Sequence, residues 1–484
     1  MPANFLPTSA EYIRVLPEII LTVMGTLILL LEAALPDRQK WIFAPLSLAG
    51  LVAALLGALA AYSDPGTAFQ NMIVVDGFAT FFRVLVIGVA LLAVLSSSDY
   101  LRREGSMGGE FYALLLWSTA GQSIMASAEE LIMIFIGLEI SSIASYVLAG
   151  YLRDDKRNNE SALKYFLLGS FATAFLLYGI AWIYGVTGTT NLVDIRRALL
   201  NANEPLAFVS TAAALMFVGF AFKISAAPFQ SWAPDVYQGA PAPVAAFLTV
   251  GPKGAAFAIL LRVFFTAFGP IASTWAPLLW AVSLATMTVG NFAAILQSDI
   301  KRLLGYSSIA HAGYVLVAVT AHSGAGSAAA MFYLAAYAFT NIGAFAVVTY
   351  FSRKGERFTK VDDFAGLAQR QPVMAAMLTI FLLSLIGVPL TGGFFGKFYI
   401  FKAALDANLV WLTVLGLLNS AVAAYYYLRI LVVMYFREPG EAVEHLPPAG
   451  PALKAAVYGS ALGTLALGIF PGWVLEFASK AALR

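Results

Sequence analysis

The chain has 484 residues, 60% of them hydrophobic and 12% charged, with a formal net charge of +2. That balance describes a polytopic membrane protein rather than a soluble domain, and near-neutrality argues against a nucleic-acid partner. Three histidines and no cysteine leave no credible ligand set for zinc, haem or an iron–sulfur cluster, so no metal or redox cofactor is expected in this chain.

A bilayer core is crossed by about 20 apolar residues, and fourteen segments meet that description. They lie near 15–35, 42–62, 77–97, 111–128, 130–152, 161–186, 206–230, 241–265, 275–297, 301–320, 327–351, 374–401, 409–436 and 453–477. The opening residues lack the basic start, short apolar core and small-residue cleavage site of a signal peptide, so the first segment is expected to persist as a helix. The fourth segment carries Ser118, Gln122, Ser123 and Ser127, and the tenth carries Ser307, Ser308 and His311. Those side chains predict protein-facing or water-facing positions rather than lipid contact.

The expected fold is all-α and polytopic, with weak internal symmetry of the kind that builds many transporters. Residues 1–110 form an N-terminal three-helix segment and 111–265 a first repeat of five helices. A second, inverted repeat covers 266–436, and a last helix lies in 437–484. The fourth member of each repeat is interrupted: FKISAAPFQSWAPDVYQGAPAPV (222–244) and SLIGVPLTGGFFGKFYIF (384–401). Proline removes a backbone donor and clashes with the preceding turn. Pro228 and Pro234, and Pro389 with Gly392 and Gly393, therefore predict broken helices, which membrane depth tolerates only where protein or water satisfies the backbone.

Lysine and arginine sort unevenly between alternate loops, and short cytoplasmic loops carry the excess. Starting outside places the basic groups at 38–40, 102–103, 153–157, 301–302, 353–370, 437 and 454 on the cytoplasmic side. Arg14, Arg196, Arg197, Arg262, Lys402, Lys480 and Arg484 remain opposite. With an even helix count, both termini are expected on the outer face.

Lys164, Lys223, Lys253 and Lys397 stand inside apolar runs, and Glu139 is the one carboxylate expected at comparable depth. A charge at the bilayer centre costs at least ~2.5 to 3.5 kcal/mol, so such groups normally face one another or a wet pathway. Lys223 precedes Pro228 by five residues and Lys397 follows Pro389 by eight. Along a helix these offsets are roughly 8 and 12 Å, close enough for a carbonyl-lined break to solvate an ammonium. A lysine in such a place can switch charge near neutral pH as a partner carboxylate approaches or leaves. Glu139 paired with Lys223 or Lys164 would form a charge gate, with Lys253 as a central relay. His311 would link the halves, because a neutral imidazole donates and accepts at once, and Lys397 would be the terminal site. The bland readings are snorkelling to an interface, which suits Lys164 best because it lies near a segment end, and a merely hydrogen-bonded core position for His311 or Glu139. Arg83 and Arg429, near segment ends, are expected to meet headgroups or loops. Gln230 and Asp235, after the first break, stand where an access path would begin.

Four stretches together, LIMIFIGLEISSIASYVLAGY, FKISAAPFQSWAPDVYQGAPAPVAAFLTVGPKGA, SDIKRLLGYSSIAHAGY and LSLIGVPLTGGFFGKFYIF, resemble the antiporter-like membrane subunits of respiratory complex I. The likeness covers nearly the whole chain. It is nearest the subunit N branch: the chain ends after about fourteen helices with no long lateral C-terminal helix, and Lys397 stands where a sibling has glutamate. The resemblance implies that Glu139 and Lys223 are the family's glutamate–lysine pair, Lys253 its central lysine, Lys397 its terminal lysine and Lys164 its additional sixth-helix lysine. Gln230 departs from relatives that carry a histidine there.

What the resemblance implies is proton translocation across a bacterial inner membrane, driven by quinone reduction elsewhere. NADH, FMN, iron–sulfur clusters and quinone would belong to other subunits. The expected partners are neighbouring antiporter-like and small membrane subunits, and the lipid bilayer. A subunit of a Mrp-type cation/proton antiporter or a related hydrogenase-linked membrane complex would use the same fold. Sodium transport would want more buried oxygens than one deep carboxylate provides.

Overall fold

The structure is a computed structural model that describes residues 7–201, 205–444 and 446–483; Arg484 lies outside the described residues. Apart from one short antiparallel hairpin, Gly66–Ala68 (β1) with Ile73–Val75 (β2), every element among the described residues is helical.

Twelve helices among the described residues are long and apolar enough to cross a membrane. In chain order, the helices used below are α1 (Leu16–Ala34), α2 (Phe43–Tyr62), α3 (Gly77–Glu104), α4 (Gly109–Ser127), α5 (Leu131–Ala149) and α6 (Lys156–Thr187). Then come α7 (Leu206–Ile224), α8 (Trp232–Gly239), α9 (Ala242–Arg262), α10 (Ala272–Ile295), α11 (Ile300–Thr320) and α12 (Gly324–Phe351). The last four are α13 (Pro372–Ile386), α14 (Gly392–Asp406), α15 (Val410–Phe436) and α16 (Pro451–Ile469).

Two of the fourteen expected segments fall outside the twelve. The fourth is helix α4, whose Ser118, Gln122, Ser123 and Ser127 are fully buried against protein and lower its hydropathy. The twelfth is two shorter helices, α13 and α14.

Both interrupted segments leave the helix, though not at every residue expected. After α7 the chain turns through Ser225 in a left-handed conformation (φ 60°) and passes Pro228 before α8 starts. Pro234 does not break anything: it sits in the first turn of α8, where no backbone donor is needed. After α13 the chain passes Gly387 (φ 97°), Pro389 and Leu390 (φ 70°). Gly392 and Gly393 open α14 rather than lying in the break.

Glycine lets neighbouring helices cross closely. A Cβ on Gly121 of α4 would lie 2.6 Å from the Gly137 carbonyl oxygen on α5, and one on Gly290 of α10 would lie 2.5 Å from the Ala310 nitrogen on α11. The pairs α4–α5 and α10–α11 therefore meet backbone to backbone. The helices α9, α11 and α12 form the centre, with nearly all of their apolar stretch buried, whereas α1, α2, α6 and α15 keep large apolar side chains outward.

The basic loops gather at one end of the bundle. Arg157 donates to the Gly355 carbonyl, Arg103 to the Thr349 carbonyl, and Lys301 is paired with Glu356. At the other end Arg262 holds Asp76 through two 3.0 Å bonds and reaches Glu129 at 3.4 Å, while Arg14 holds Asp64 at 3.2 Å.

One sequence expectation fails here. Arg83 does not meet headgroups: it is fully buried on α3, with Nε donating to Glu18 at 2.9 Å and Nη2 to Ser127 at 3.2 Å. Its partner Glu18 is buried as well, but in the first turn of α1, whereas Glu139 lies in the middle of α5. Arg429 does reach a loop, donating to the Ile295 and Gln297 carbonyls at the end of α10.

Candidate functional site

Lys223 occupies the last turn of α7, just before the first break, and is 7% exposed. Among the described residues, no carboxylate lies within ion-pair distance of its ammonium. Nζ lies 3.4 Å from the Tyr146 hydroxyl and 5.1, 5.3 and 5.7 Å from the rings of Tyr146, Tyr165 and Phe222. Ring faces attract a cation electrostatically, so aromatic side chains replace the carbonyls that the break was expected to offer. One of those carbonyls, Phe222 O, accepts from Trp232 Nε1 instead.

The expected pairing of Glu139 is absent. Its Oε1 is buried without a hydrogen-bond partner, and Lys164 is bound elsewhere, to Glu160 at 2.7 Å and Asp235 at 2.8 Å. With 41% of its side chain exposed, Lys164 sits at the rim of the bundle rather than inside it. Between the Glu139 turn and Lys223 lies a cavity of about 10 Å³, lined by Ser141, Ser142 and Ser145 together with Tyr165 and Pro252. That is close to the space one water needs.

Lys253 follows Pro252 in the middle of α9 and is 2% exposed. It donates to Ser308 on α11, at 2.5 Å to Oγ and 3.1 Å to the carbonyl, under the ring of Tyr237 at 5.8 Å. One turn further along α11, His311 has Nδ1 2.5 Å from the Tyr333 hydroxyl and Nε2 3.3 Å from that of Tyr427. Tyr427 also bonds Ser307. One more turn brings Tyr314, whose ring lies 4.9 Å from Lys397 Nζ.

Lys397 stands on α14 and points back at the end of α13. The last carbonyls of a helix lack intrahelical partners, and Nζ donates to two of them, Leu385 at 3.0 Å and Ile386 at 2.8 Å, and to Ser420 Oγ at 2.7 Å. Here the carbonyl-lined break does what the sequence led one to expect. A second cavity of about 10 Å³ joins His311, Tyr333 and Tyr337 to Ser384 and Leu385. An open cavity of about 420 Å³ lies on the other side of Lys397, reaching Lys402 and Asp406.

The structure thus strings Lys253, His311 and Lys397 along one face of α11, keeps Glu139 and Lys223 near each other without contact, and sets Lys164 apart. Asp235 binds both Lys164 and Arg302, the latter at 2.6 Å, and Gln230 has its Oε1 buried without a partner. The phenols of Tyr146, Tyr314, Tyr333 and Tyr427, with Ser420, are polar members that sequence reasoning missed, while Ser308 was marked only as a protein- or water-facing position. A helical signal existed for two of them: Tyr146 lies seven residues, two turns, after Glu139, and Tyr314 three after His311.

Residues 128–423, which contain Glu139, Lys164, Lys223, Lys253, His311 and Lys397, match the family model described as NADH:quinone oxidoreductase/Mrp antiporter, TM. Over 482 residues, covering 100% of this chain and 99% of the relative, the sequence is 64% identical to NADH-quinone oxidoreductase subunit N 1 of Solibacter usitatus. The chain belongs to the NADH-quinone oxidoreductase subunit N family. A further subunit N, from Trichlorobacter lovleyi, is 45% identical, with 96% of each chain covered. Among solved structures, a chain of respiratory complex I from Thermus thermophilus superposes with a TM-score of 0.82 at 36% identity, covering 96% of this chain and 99% of that one. A chain of the Mrp complex from Dietzia sp. shares the fold (TM-score 0.84, 96% of each chain) at 22% identity. Membership of the subunit N family agrees with the helical membrane architecture; among the described residues no three or more His, Asp or Glu side chains are grouped to hold a metal ion.

Proposed function

We propose that this chain is a proton-translocating membrane subunit of an NADH:quinone oxidoreductase, with Glu139, Lys223, Lys253, His311 and Lys397 as its relay. Lys164 belongs to the rim of that relay rather than to its interior. The observation that carries the reading is the face of α11, where Ser308, His311 and Tyr314 follow one another between the ammonium groups of Lys253 and Lys397.

The chemistry follows from donor and acceptor capacity. Neutral imidazole donates from one nitrogen and accepts at the other, and hydroxyls do both. A proton released by Lys253 to Ser308 has acceptors onward at His311 and its two phenols. Lys397 is stabilised as an ammonium by three neutral oxygens, so it can give up its proton without breaking an ion pair. Lys223 is the adjustable member: ring faces stabilise its charge, and Glu139, near but unpaired, can strengthen or weaken that charge as the helices shift.

NADH oxidation and quinone reduction, with the FMN and iron–sulfur clusters they need, belong to other subunits of the complex. Adjacent antiporter-like and small membrane subunits are the partners. The chain lies in the bacterial inner membrane, crossing it about fourteen times with both termini outside; the gathering of basic loops at one end supports that orientation.

The test is proton pumping and quinone-linked turnover in assembled membranes carrying Lys223→Ala or Lys397→Ala. Lys480→Ala is the control, since Lys480 is an exposed partner of Glu476. Both activities are expected to fall in the first two variants at normal assembly; survival of both would make these lysines structural.

A further inference from the structure

The short helix α8 lies beside both Lys223 and Lys253 and carries one carboxylate, Asp235, which basic side chains of α6 and α11 hold. On its inner side, Trp232 stacks on Tyr165 (4.5 Å between centroids, 4° between planes) and on Phe222 (5.0 Å). Those two rings lie 5.3 and 5.7 Å from Lys223 Nζ. Tyr237, on the same helix, lies 5.8 Å from Lys253 Nζ. Eight residues bounded by irregular chain thus shape the surroundings of two relay lysines.

What fixes α8 is at its rim. Asp235 accepts from Lys164 Nζ at 2.8 Å and from Arg302 Nη1 at 2.6 Å, and Arg302 also reaches Gln238 at 3.1 Å. Lys301 donates to the Ala240 carbonyl at 2.6 Å just beyond the helix. Lys301 and Arg302 lie in the first turn of α11, the helix that carries Ser308 and His311. Asp235 therefore ties a helix of the first repeat to α11 of the second through a charge-assisted bond, the strong kind.

We propose that Asp235 is a positioning residue of the proton relay: by binding Arg302 it holds α8 so that Trp232 and Tyr237 set the aromatic surroundings of Lys223 and Lys253. The inference rests on the relay reading above and adds the element that keeps its two lysines in register with α11. The charged groups that face Asp235 are Lys164, Arg302 and, through Lys164, Glu160.

The experiment measures pumping and quinone-linked turnover per assembled complex, across pH, in membranes carrying Asp235→Asn, Asp235→Glu, Arg302→Gln, Lys164→Ala or Lys223→Ala. Asp235→Asn and Arg302→Gln are expected to lower pumping about tenfold, within the range that small misplacements of a reacting group produce. Both should also displace the pH profile, and Asp235→Glu should recover most of the activity. Normal rates and profile in assembled Asp235→Asn overturn the inference, as does a loss confined to the amount of complex. If Asp235→Asn fails to assemble, Arg302→Gln is read by the same criteria, and failure of both to assemble makes the pair structural and overturns it too. Lys164→Ala reproducing Asp235→Asn while Arg302→Gln does not would assign Asp235 to Lys164 alone, which also overturns it. Activity surviving in Lys223→Ala would remove the relay itself, whereas activity surviving only in the Asp235 and Arg302 variants removes this inference and leaves the relay standing.

Discussion

Three buried lysines are solvated in three ways: by aromatic faces at Lys223, by a serine at Lys253, and by the open end of a helix at Lys397. The difference predicts different sensitivities. Tyr146→Phe keeps a ring over Lys223 and removes only a hydroxyl at 3.4 Å, so turnover should stay close to that of the parent. Tyr146→Leu removes the ring as well; a desolvated cation–π contact is worth about 2 kcal/mol, which is roughly thirtyfold if all of it bears on the pumping step. Lys397→Arg separates charge from proton release. A guanidinium keeps its charge and its donors but stays protonated, so the complex should assemble and reduce quinone poorly, with pumping lost, as measured by acidification alongside NADH oxidation. The lysines were legible in the sequence because an ammonium in an apolar run has few affordable explanations. The tyrosines were not: among 21 tyrosines, one more ring in an apolar helix costs nothing and so signals nothing. Nor was the state of Glu139 legible, because a helix turn can be read from spacing while the distance between two helices cannot.

The elements were legible where hydropathy decides them, and the protein-facing character of α4 was legible from its polar side chains. In helix α4, too polar to count as a membrane span by hydropathy, Ser118 bonds to Ser141 and Ser145 of α5. That contact depends on the close crossing at Gly121 and Gly137. Gly121→Val places side-chain atoms where backbone atoms already stand; overpacking of this kind costs about 1 to 3 kcal/mol and would push α5, with Glu139, away from α4. A lower melting temperature of the complex together with reduced pumping is the expected outcome, and an unchanged rate would show that Glu139 tolerates the shift. Proline was a good signal of a break and a poor locator of it: Pro228 and Pro389 lie in the breaks, while Pro234 opens a helix, because what matters is whether a donor is required at that position.

At the scale of the whole molecule, a buried charge pair, Arg83 with Glu18, joins α3 to α1, and Arg83 also reaches the Ser127 hydroxyl at the end of α4. Removing one partner leaves the other charge uncompensated, which costs about 3 to 5 kcal/mol, while replacing both by apolar groups of similar size is often neutral. Glu18→Ala should therefore lower the yield of assembled complex sharply, and Glu18→Leu combined with Arg83→Met should restore it, measured on native gels of solubilised membranes. Sequence could not supply this pair, since Arg83 stands near a segment end where snorkelling is the ordinary expectation. The arrangement of the bundle has one further consequence. The apolar stretch of α9 is buried completely, and those of α11 and α12 to 94%, inside a jacket whose outward faces carry Leu56, Phe171 and Leu418. Lys253, Ser308 and His311, carried on α9 and α11, are thereby insulated by the protein's own outer helices, whereas Lys397 on α14 borders an open cavity. Changing bilayer composition should leave the tightness of this insulation unaltered, and a short circuit through the subunit would require the three inner helices to part from one another.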